Sequence, residues 1–329
     1  MPLIRASLKE GYLEINENIR FKKGVDFLSN WNKTYFVDYD GGSDDNNGRS
    51  TFKPFKNPAQ AISKASAGDV IYIKPRSPEL GAQGAGPYYG GDPGDIVPAT
   101  AVNWVIPYTK YGLKLIGCGA GRGPAGRSQT CLQGHANVTA YPVLDVRAPY
   151  CDIENLGFKA GGSTVGLVQT KFANDSAYQA WANTFYKVWF RIALAAGALV
   201  MDAGSYDNIE KCTFSFMATG HGVGIMLLAG NDAPTGVVIR DCDFDGLVAD
   251  IHADIQTSGA VKRILMDNLR FNHAVPAGGS PNRYVSVASA STGLLANSYC
   301  GAADGTIGTH FTLNGIHNAH IWGEAGEVT

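Results

Sequence analysis

Ile239-Arg-Asp-Cys242-Asp-Phe244 is one copy of a pattern that organises the second half of the chain. Ile153-Glu-Asn-Leu156-Gly-Phe158, Ile209-Glu-Lys-Cys212-Thr-Phe214 and Met266-Asp-Asn-Leu269-Arg-Phe271 repeat it. Each has an apolar residue, two polar ones, a small or apolar one, a spacer and an aromatic. Leu295-Ala-Asn-Ser298-Tyr-Cys300 is a degenerate copy, and Leu115-Ile-Gly-Cys118-Gly-Ala120 is an earlier one. From Ile153 onward the copies start 56, 30, 27 and 29 residues apart, the first interval being long enough for two. A unit of this size cannot bury its apolar face alone, so successive copies must stack.

The three-residue step from Ile239 to Cys242 breaks the alternation of a strand. It implies a short strand, a sharp bend at Arg240–Asp241, and a second strand. Asn155, Asp241, Asn268 and Asn297 occupy the bend position. Asn and Asp accept left-handed backbone and hydrogen-bond their own turns, as such a corner requires. The pattern predicts an all-β chain, a single-stranded right-handed parallel β-helix (solenoid), with residues 153/156/158, 209/212/214, 239/242/244 and 266/269/271 in layers. A β-sandwich is the alternative, but sandwiches carry turn signals every 8–12 or so residues without a larger period.

Composition agrees. Of 329 residues, 45% are apolar and only 17% charged, against about 25% charged in an average soluble domain. The 41 glycines imply many turns. A net charge of −2 without a basic run argues against nucleic acid as a partner. No stretch approaches the roughly 20 apolar residues of a membrane span. The N-terminus shows no secretory apolar region, so no membrane or export role is expected.

Residues 1–34 read as a separate arm, mixed in charge and weakly periodic, expected to anchor or assemble the protein. Residues 35–329 are expected to form the solenoid, with 35–75 as its N-terminal cap and first coil. Within that cap, Tyr35-Phe-Val-Asp-Tyr-Asp-Gly-Gly-Ser-Asp-Asp-Asn-Asn-Gly48 is a strand running into a turn-rich loop. Pro54-Phe-Lys-Asn-Pro-Ala-Gln-Ala-Ile-Ser-Lys-Ala65 follows as a short helix with Pro58 in its first turn. Gly68-Asp-Val-Ile-Tyr-Ile-Lys-Pro75 is a buried strand.

This order resembles the opening of pectate-lyase-like right-handed β-helix proteins, where a G-S-D loop, a P-F…A-I helix and a G-D-x-I strand cap the coil. The resemblance covers residues 35–75 by motif and the later coils by pattern. Asn57-Pro58 departs from it, as does the glycine- and tyrosine-rich insertion from Gly81 to Pro98. Among such proteins the length, start and low charge look most like tailed-bacteriophage virion proteins. That resemblance implies a homotrimeric head-decoration subunit, located in the virion after assembly in the host cytoplasm and bound to the major capsid protein or other virion proteins. The alternative is a carbohydrate-binding or carbohydrate-degrading protein, such as a tailspike; if an enzyme, it would be a polysaccharide lyase or glycoside hydrolase.

Candidate chemistry is sparse. Asp38, Asp40, Asp44 and Asp45, with Asn46 and Asn47, offer oxygen ligands for Ca²⁺, but their spacing does not fit an EF-hand loop, and such residues also build turns. Beyond Ca²⁺ no cofactor is expected. Asp250, His252 and Asp254 alternate along a strand, giving two carboxylates and an imidazole on one face. A solvated or intersubunit face is the preferred reading, since one strand does not make a site. Asp241, Asp243 and Asp245 lie upstream, with Arg240 and Arg263 nearby.

The run Gly117–Gly126 lacks the Gly-Lys-Ser/Thr ending of a phosphate loop. None of the six cysteines forms a C-x-x-C pair, and Cys118, Cys212 and Cys242 share a repeat position, which predicts buried thiols. His310, His317 and His320 form no readable catalytic set. The aromatic segment 178–190 is left as a short helix or loop, buried or facing a partner.

Overall fold

The computed structural model describes residues 6–9, 12–15, 32–76, 89, 104–119, 130–134, 142–159, 166–170, 180–192, 197–202, 205–216, 223–228, 234–246, 253–272, 283–300, 311–323 and 326–327. The chain divides into two compact units, Met1–Asn32 and Lys33–Thr329. In the first, strands Ala6–Lys9 and Tyr12–Ile15 pair antiparallel, with Leu8 opposite Leu13.

The second unit is a right-handed parallel β-helix. Its strands run in three ladders, here called A, B and C. Ladder A stacks Thr34–Val37, Val70–Ile73, Lys114–Gly117, Asp152–Glu154, Thr184–Tyr186, Asn208–Glu210, Val238–Arg240, Ile264–Asp267 and the leading halves of Gly293–Cys300 and Ile316–Gly323. Ladder B follows each bend, from Cys131–Gln133 and Gly157–Lys159 through Trp189–Ile192, Thr213–Phe216 and Asp243–Gly246 to Arg270–Phe271. Ladders A and B, with the strand Gly326–Glu327 added antiparallel to Ile316–Gly323, make a 17-stranded sheet, and ladder C is a separate 8-stranded sheet running from Trp104–Ile106 to Phe311–Thr312. All pairings within the ladders are parallel, so each residue sits over its counterpart one coil away.

That register turns the sequence pattern into columns. Ladder A stacks Tyr35, Ile71, Leu115, Ile153, Phe185, Ile209, Ile239, Met266 and Leu295 inward, all buried. Ladder B stacks Phe158, Phe190, Phe214, Phe244 and Phe271. The central pairs are nearly parallel, with ring centroids 4.7 and 4.8 Å apart and planes 6° and 8° off. Ladder C contributes Trp104, Leu144, Val168, Leu199, Ile225, Ile255 and Val285.

From Asn155 onward the corner between A and B is left-handed. Asn155, Lys187, Lys211, Asp241, Asn268, Asn297 and His320 all have φ between 48° and 54°. Asn and Asp hold this corner by reaching to other coils: Asn268 Nδ2 donates to Asp241 Oδ1 (2.6 Å) and Asn155 Nδ2 to the Gly117 carbonyl (2.7 Å). Lysine gains no such bond from its own backbone chemistry, which is why only four of these corners were legible beforehand.

Two expectations are corrected. The segment 178–190 is neither helix nor loop from its middle onward: Phe185-Tyr-Lys-Val188-Trp-Phe190 is a further coil, with Phe185 and Phe190 in the inward columns. Phe185, an aromatic where the other copies start on an aliphatic residue, hid it. Cys118, expected inside beside Cys212 and Cys242, is exposed, whereas those two are buried. After Lys114–Gly117 the chain does not turn directly into ladder B; it rejoins at Cys131–Gln133, and Leu132 takes the place in register with Phe158.

The end nearest the cap is covered by the helix Pro58–Lys64, which has Pro58 in its first turn and buries Pro58, Ala61 and Ile62. No helix among the described residues is long and apolar enough to cross a membrane.

Before some of the ladder A strands, a polar side chain caps the preceding coil. Cys151 N–H donates to Asn183 Oδ1 (2.8 Å), Asn183 N–H to Asp207 Oδ1 (2.6 Å) and Val261 N–H to Ser291 Oγ (3.1 Å). Asp207 is fully buried, and its Oδ2 finds no partner among the described residues. Burial pushes its carboxyl well above the ordinary carboxylate range.

Below the unfolded-state pKa of about 3.9 Asp207 is neutral in both states. As pH rises past that value the unfolded chain ionises while the folded one keeps its proton, and stability falls by up to about 1.4 kcal/mol per pH unit until the folded group titrates. Asp207→Asn keeps the Oδ1 acceptor, as Asn183 already does one coil earlier. Thermal unfolding from pH 4 to 8 is expected to show the variant increasingly more stable than wild type with rising pH. Phe214→Ala, which opens the middle of the ring stack, is expected to cost about 3–5 kcal/mol in denaturant unfolding.

Candidate functional site

A second left-handed column lies three residues before each inward residue of ladder A, at the turn from ladder C. Gly68, Gly112, Tyr150, Ala182, Tyr206, Gly236 and Arg263 occupy it, all with positive φ. Its N–H donates to the carbonyl just before the equivalent residue of the next coil. These bonds run Gly68 to Tyr111 (2.8 Å), Gly112 to Pro149 (2.9 Å), Tyr150 to Trp181 (3.0 Å), Ala182 to Ser205 (2.7 Å), Tyr206 to Thr235 (2.7 Å) and Gly236 to Lys262 (2.8 Å). The turns are thus zipped together by their backbones, leaving two side-chain positions per coil at the apex.

Four consecutive apices carry an aromatic residue. Tyr111, Tyr150, Trp181 and Tyr206 are 55%, 50%, 37% and 52% exposed, which is high for side chains of this size. With rungs about 4.8 Å apart, four of them span about 14 Å. Tyr150 and Trp181 touch, their centroids 5.2 Å apart and their planes 49° off. The ring of Tyr206 leans across the next rung over Gly236, where an added Cβ would meet Cδ1 at 2.7 Å. One coil further, the same two apex positions are Lys262 and Arg263, both exposed.

Nearby charges are tied back. Lys110 Nζ donates to the Ser63 carbonyl (2.9 Å), and Arg147 is paired with Asp145 (2.6 Å). The row offers flat apolar faces with polar tips and no acid or base at its apex positions between Tyr111 and Gly236.

The residues singled out in the sequence go elsewhere. Asp38 Oδ1 accepts the N–H of Asp40 (3.2 Å) and Gly41 (3.3 Å), and its Oδ2 pairs with Lys74 (2.7 Å). Asp44 accepts from Lys56 N–H (3.0 Å), Asn57 N–H (2.9 Å) and Asn57 Nδ2 (2.7 Å), fastening the loop to the start of the helix. Asp45 is exposed. Among the described residues no three His, Cys, Asp or Glu side chains are grouped to hold a metal ion. Asp254 is fully buried in the strand Ala253–Thr257. Asp250 and His252 lie outside the described residues, as do His310 and most of the run 117–126.

Asp241 belongs to the A–B corner and Asp243 pairs loosely with Arg270 (3.8 Å). Arg263 lies before the ladder A strand and these aspartates after it, so they do not converge. A cavity of about 430 Å³ lies under the cap loop, lined by Phe36, Val37, Pro54 and Tyr72 with the Asp38–Lys74 pair and Cys118. It is apolar and brings no catalytic pair together. The sequence reading noticed Trp181 within its aromatic segment but missed the row; the usable signal was an aromatic three or four residues before each inward apolar residue.

No protein-family profile matches the chain, and no curated protein does. Solved structures similar to it include a pectate lyase (13% identity, covering 92% of this chain and 79% of that one, TM-score 0.48). A pectin methylesterase from Aspergillus niger is similar at 12% identity, with 90% and 87% covered and a TM-score of 0.47. A rhamnogalacturonan lyase follows at 16%, with 88% and 74% covered and a TM-score of 0.45.

Two substitutions separate the row from its support. Trp181→Ala is expected to leave thermal stability within about 0.5 kcal/mol of wild type, since it removes an exposed ring. Gly236→Ala places a Cβ into Tyr206 at φ 69°, and is expected to lower the melting temperature and displace the Tyr206 ring. Melting curves and the near-ultraviolet circular dichroism of the two variants check both outcomes.

Proposed function

We propose that this chain is a carbohydrate-binding β-helix protein that holds a linear polysaccharide along the turns between ladders C and A. The observation that carries this reading is the exposed row Tyr111, Tyr150, Trp181 and Tyr206 on four consecutive coils. Pyranose rings present C–H-rich faces that pack on aromatic faces, while Tyr O–H and Trp N–H groups at the ring edges reach hydroxyls. Tyr and Trp are also stiff, so little rotamer freedom is lost on binding. An exposed apolar strip of this kind marks an interaction surface.

The reading is one of binding, because the row presents aromatic faces with phenol and indole donors at their edges, a set suited to gripping sugar rings. It takes up the carbohydrate alternative of the sequence analysis. The expectation of a trimeric virion subunit on a capsid came from the overall character of the sequence, and no feature of the coil favours it.

Affinity electrophoresis through gels containing soluble polysaccharides tests the proposal. Wild type should be retarded by at least one glycan, and the double variant Tyr150→Ala/Trp181→Ala should bind it at least about fivefold more weakly, from about 0.5–1.5 kcal/mol per ring. Equal retardation of both proteins, or none of wild type on any glycan, overturns it. A wild-type oligomer that falls apart in the double variant would make the row a subunit interface instead.

A further inference from the structure

The apex row alternates. Tyr111 and Trp181 sit just before the left-handed residue of their turns, whereas Tyr150 and Tyr206 are that residue. The attachment points of successive rings therefore alternate between the two neighbouring apex positions, and this alternation repeats every two rungs, about 9.6 Å. In an extended β-1,4-linked glycan each pyranose is turned over relative to the one before. Its two-sugar repeat is close to two rungs, so alternate sugars would meet alternately offset rings. An α-1,4-linked glucan coils, and α-1,4-linked polygalacturonate, joined through axial bonds, is a buckled chain with a shorter advance per sugar, so neither keeps this step.

The row also has a charged end. Beyond Tyr206, whose ring lies over Gly236, the apex continues as Lys262 and Arg263. They stand two rungs past Tyr206, one full repeat of the row. The intervening apex residues Thr235 and Gly236 are neutral, so this end is complementary to an acidic group.

Resting on the glycan-binding reading above, we infer that the ligand is a β-1,4-linked ribbon bearing acidic substituents. The sugars lie on the aromatic row and an acid group meets Lys262 and Arg263.

Three soluble polymers separate the elements of this inference: hydroxyethylcellulose (β-1,4-linked, neutral), carboxymethylcellulose (the same backbone with acidic groups) and polygalacturonate (α-1,4-linked, acidic). Full-length protein should be retarded most by carboxymethylcellulose, several-fold less by hydroxyethylcellulose and least by polygalacturonate. Lys262→Ala/Arg263→Ala should bring carboxymethylcellulose down to the level of hydroxyethylcellulose without altering the latter. Added salt should do the same, since exposed charges are screened. Trp181→Ala should weaken both celluloses alike.

Polygalacturonate binding as well as carboxymethylcellulose overturns the ribbon, while leaving a glycan-binding protein. Equal binding of the two celluloses by wild type overturns the role of Lys262 and Arg263. Failure on these three polymers with retardation by some other glycan overturns the inference alone; failure on every glycan takes the proposed function with it. Both variants alter exposed side chains, and an unchanged melting temperature confirms that any loss is one of binding.

Discussion

Parallel in-register stacking is the constraint from which the rest of this structure follows. Once one coil pairs with the next through parallel backbone hydrogen bonds, each side chain must share a column with its counterparts. An inward column has to be apolar along its length, as with Ile153, Phe185, Ile209 and Ile239. A corner has to be left-handed in every coil, as from Asn155 to His320. Aromatic residues in one column have no choice but to stack, and Phe190, Phe214 and Phe244 do so at centroid spacings close to the rung spacing itself. A misplaced residue in such a column disturbs two neighbours, but hardly a third, because contacts run only between adjacent coils.

The same constraint explains what could be read in advance. The fold was legible because columns project onto the sequence as a repeat, and the clearest copies were those with Asn or Asp at the corner. The coil at Phe185–Phe190 escaped because it begins on an aromatic residue where the clear copies begin on Ile or Met. Cys118 was misplaced because a repeat motif tells where a strand starts, not whether the chain turns at once into the next ladder. The helix Pro58–Lys64 was readable from Pro58 in its first turn. The loop carboxylates were harder. Asp38 and Asp44 look alike as potential ligands in sequence, and only their backbone partners show that they are fastening turns.

The aromatic row was hidden for a different reason. A binding surface on a solenoid is distributed, with one or two residues from each coil, some 25 to 39 residues apart between Tyr111 and Tyr206. No local motif records it, since the four rings become neighbours only after the turns are aligned by their own hydrogen bonds. The buried Asp207 belongs to the same turn and had no sequence signal either. It caps Asn183 with one oxygen and leaves the other without a partner among the described residues, a local cost that the coil tolerates because the flanking layers are well packed.

The apex positions are defined by the backbone alone: residues as different as Gly112, Tyr150, Ala182 and Arg263 adopt the same left-handed turn. Nothing in the core depends on which side chain is displayed there. Between Ile153 and Leu295 the coils differ in length, from 24 to 32 residues, yet the apex recurs in nearly every one. A duplicated coil would therefore add one rung of core and one display position together. Such a chain can grow by internal duplication, lengthening its contact strip in fixed increments while the display residues diversify independently of folding.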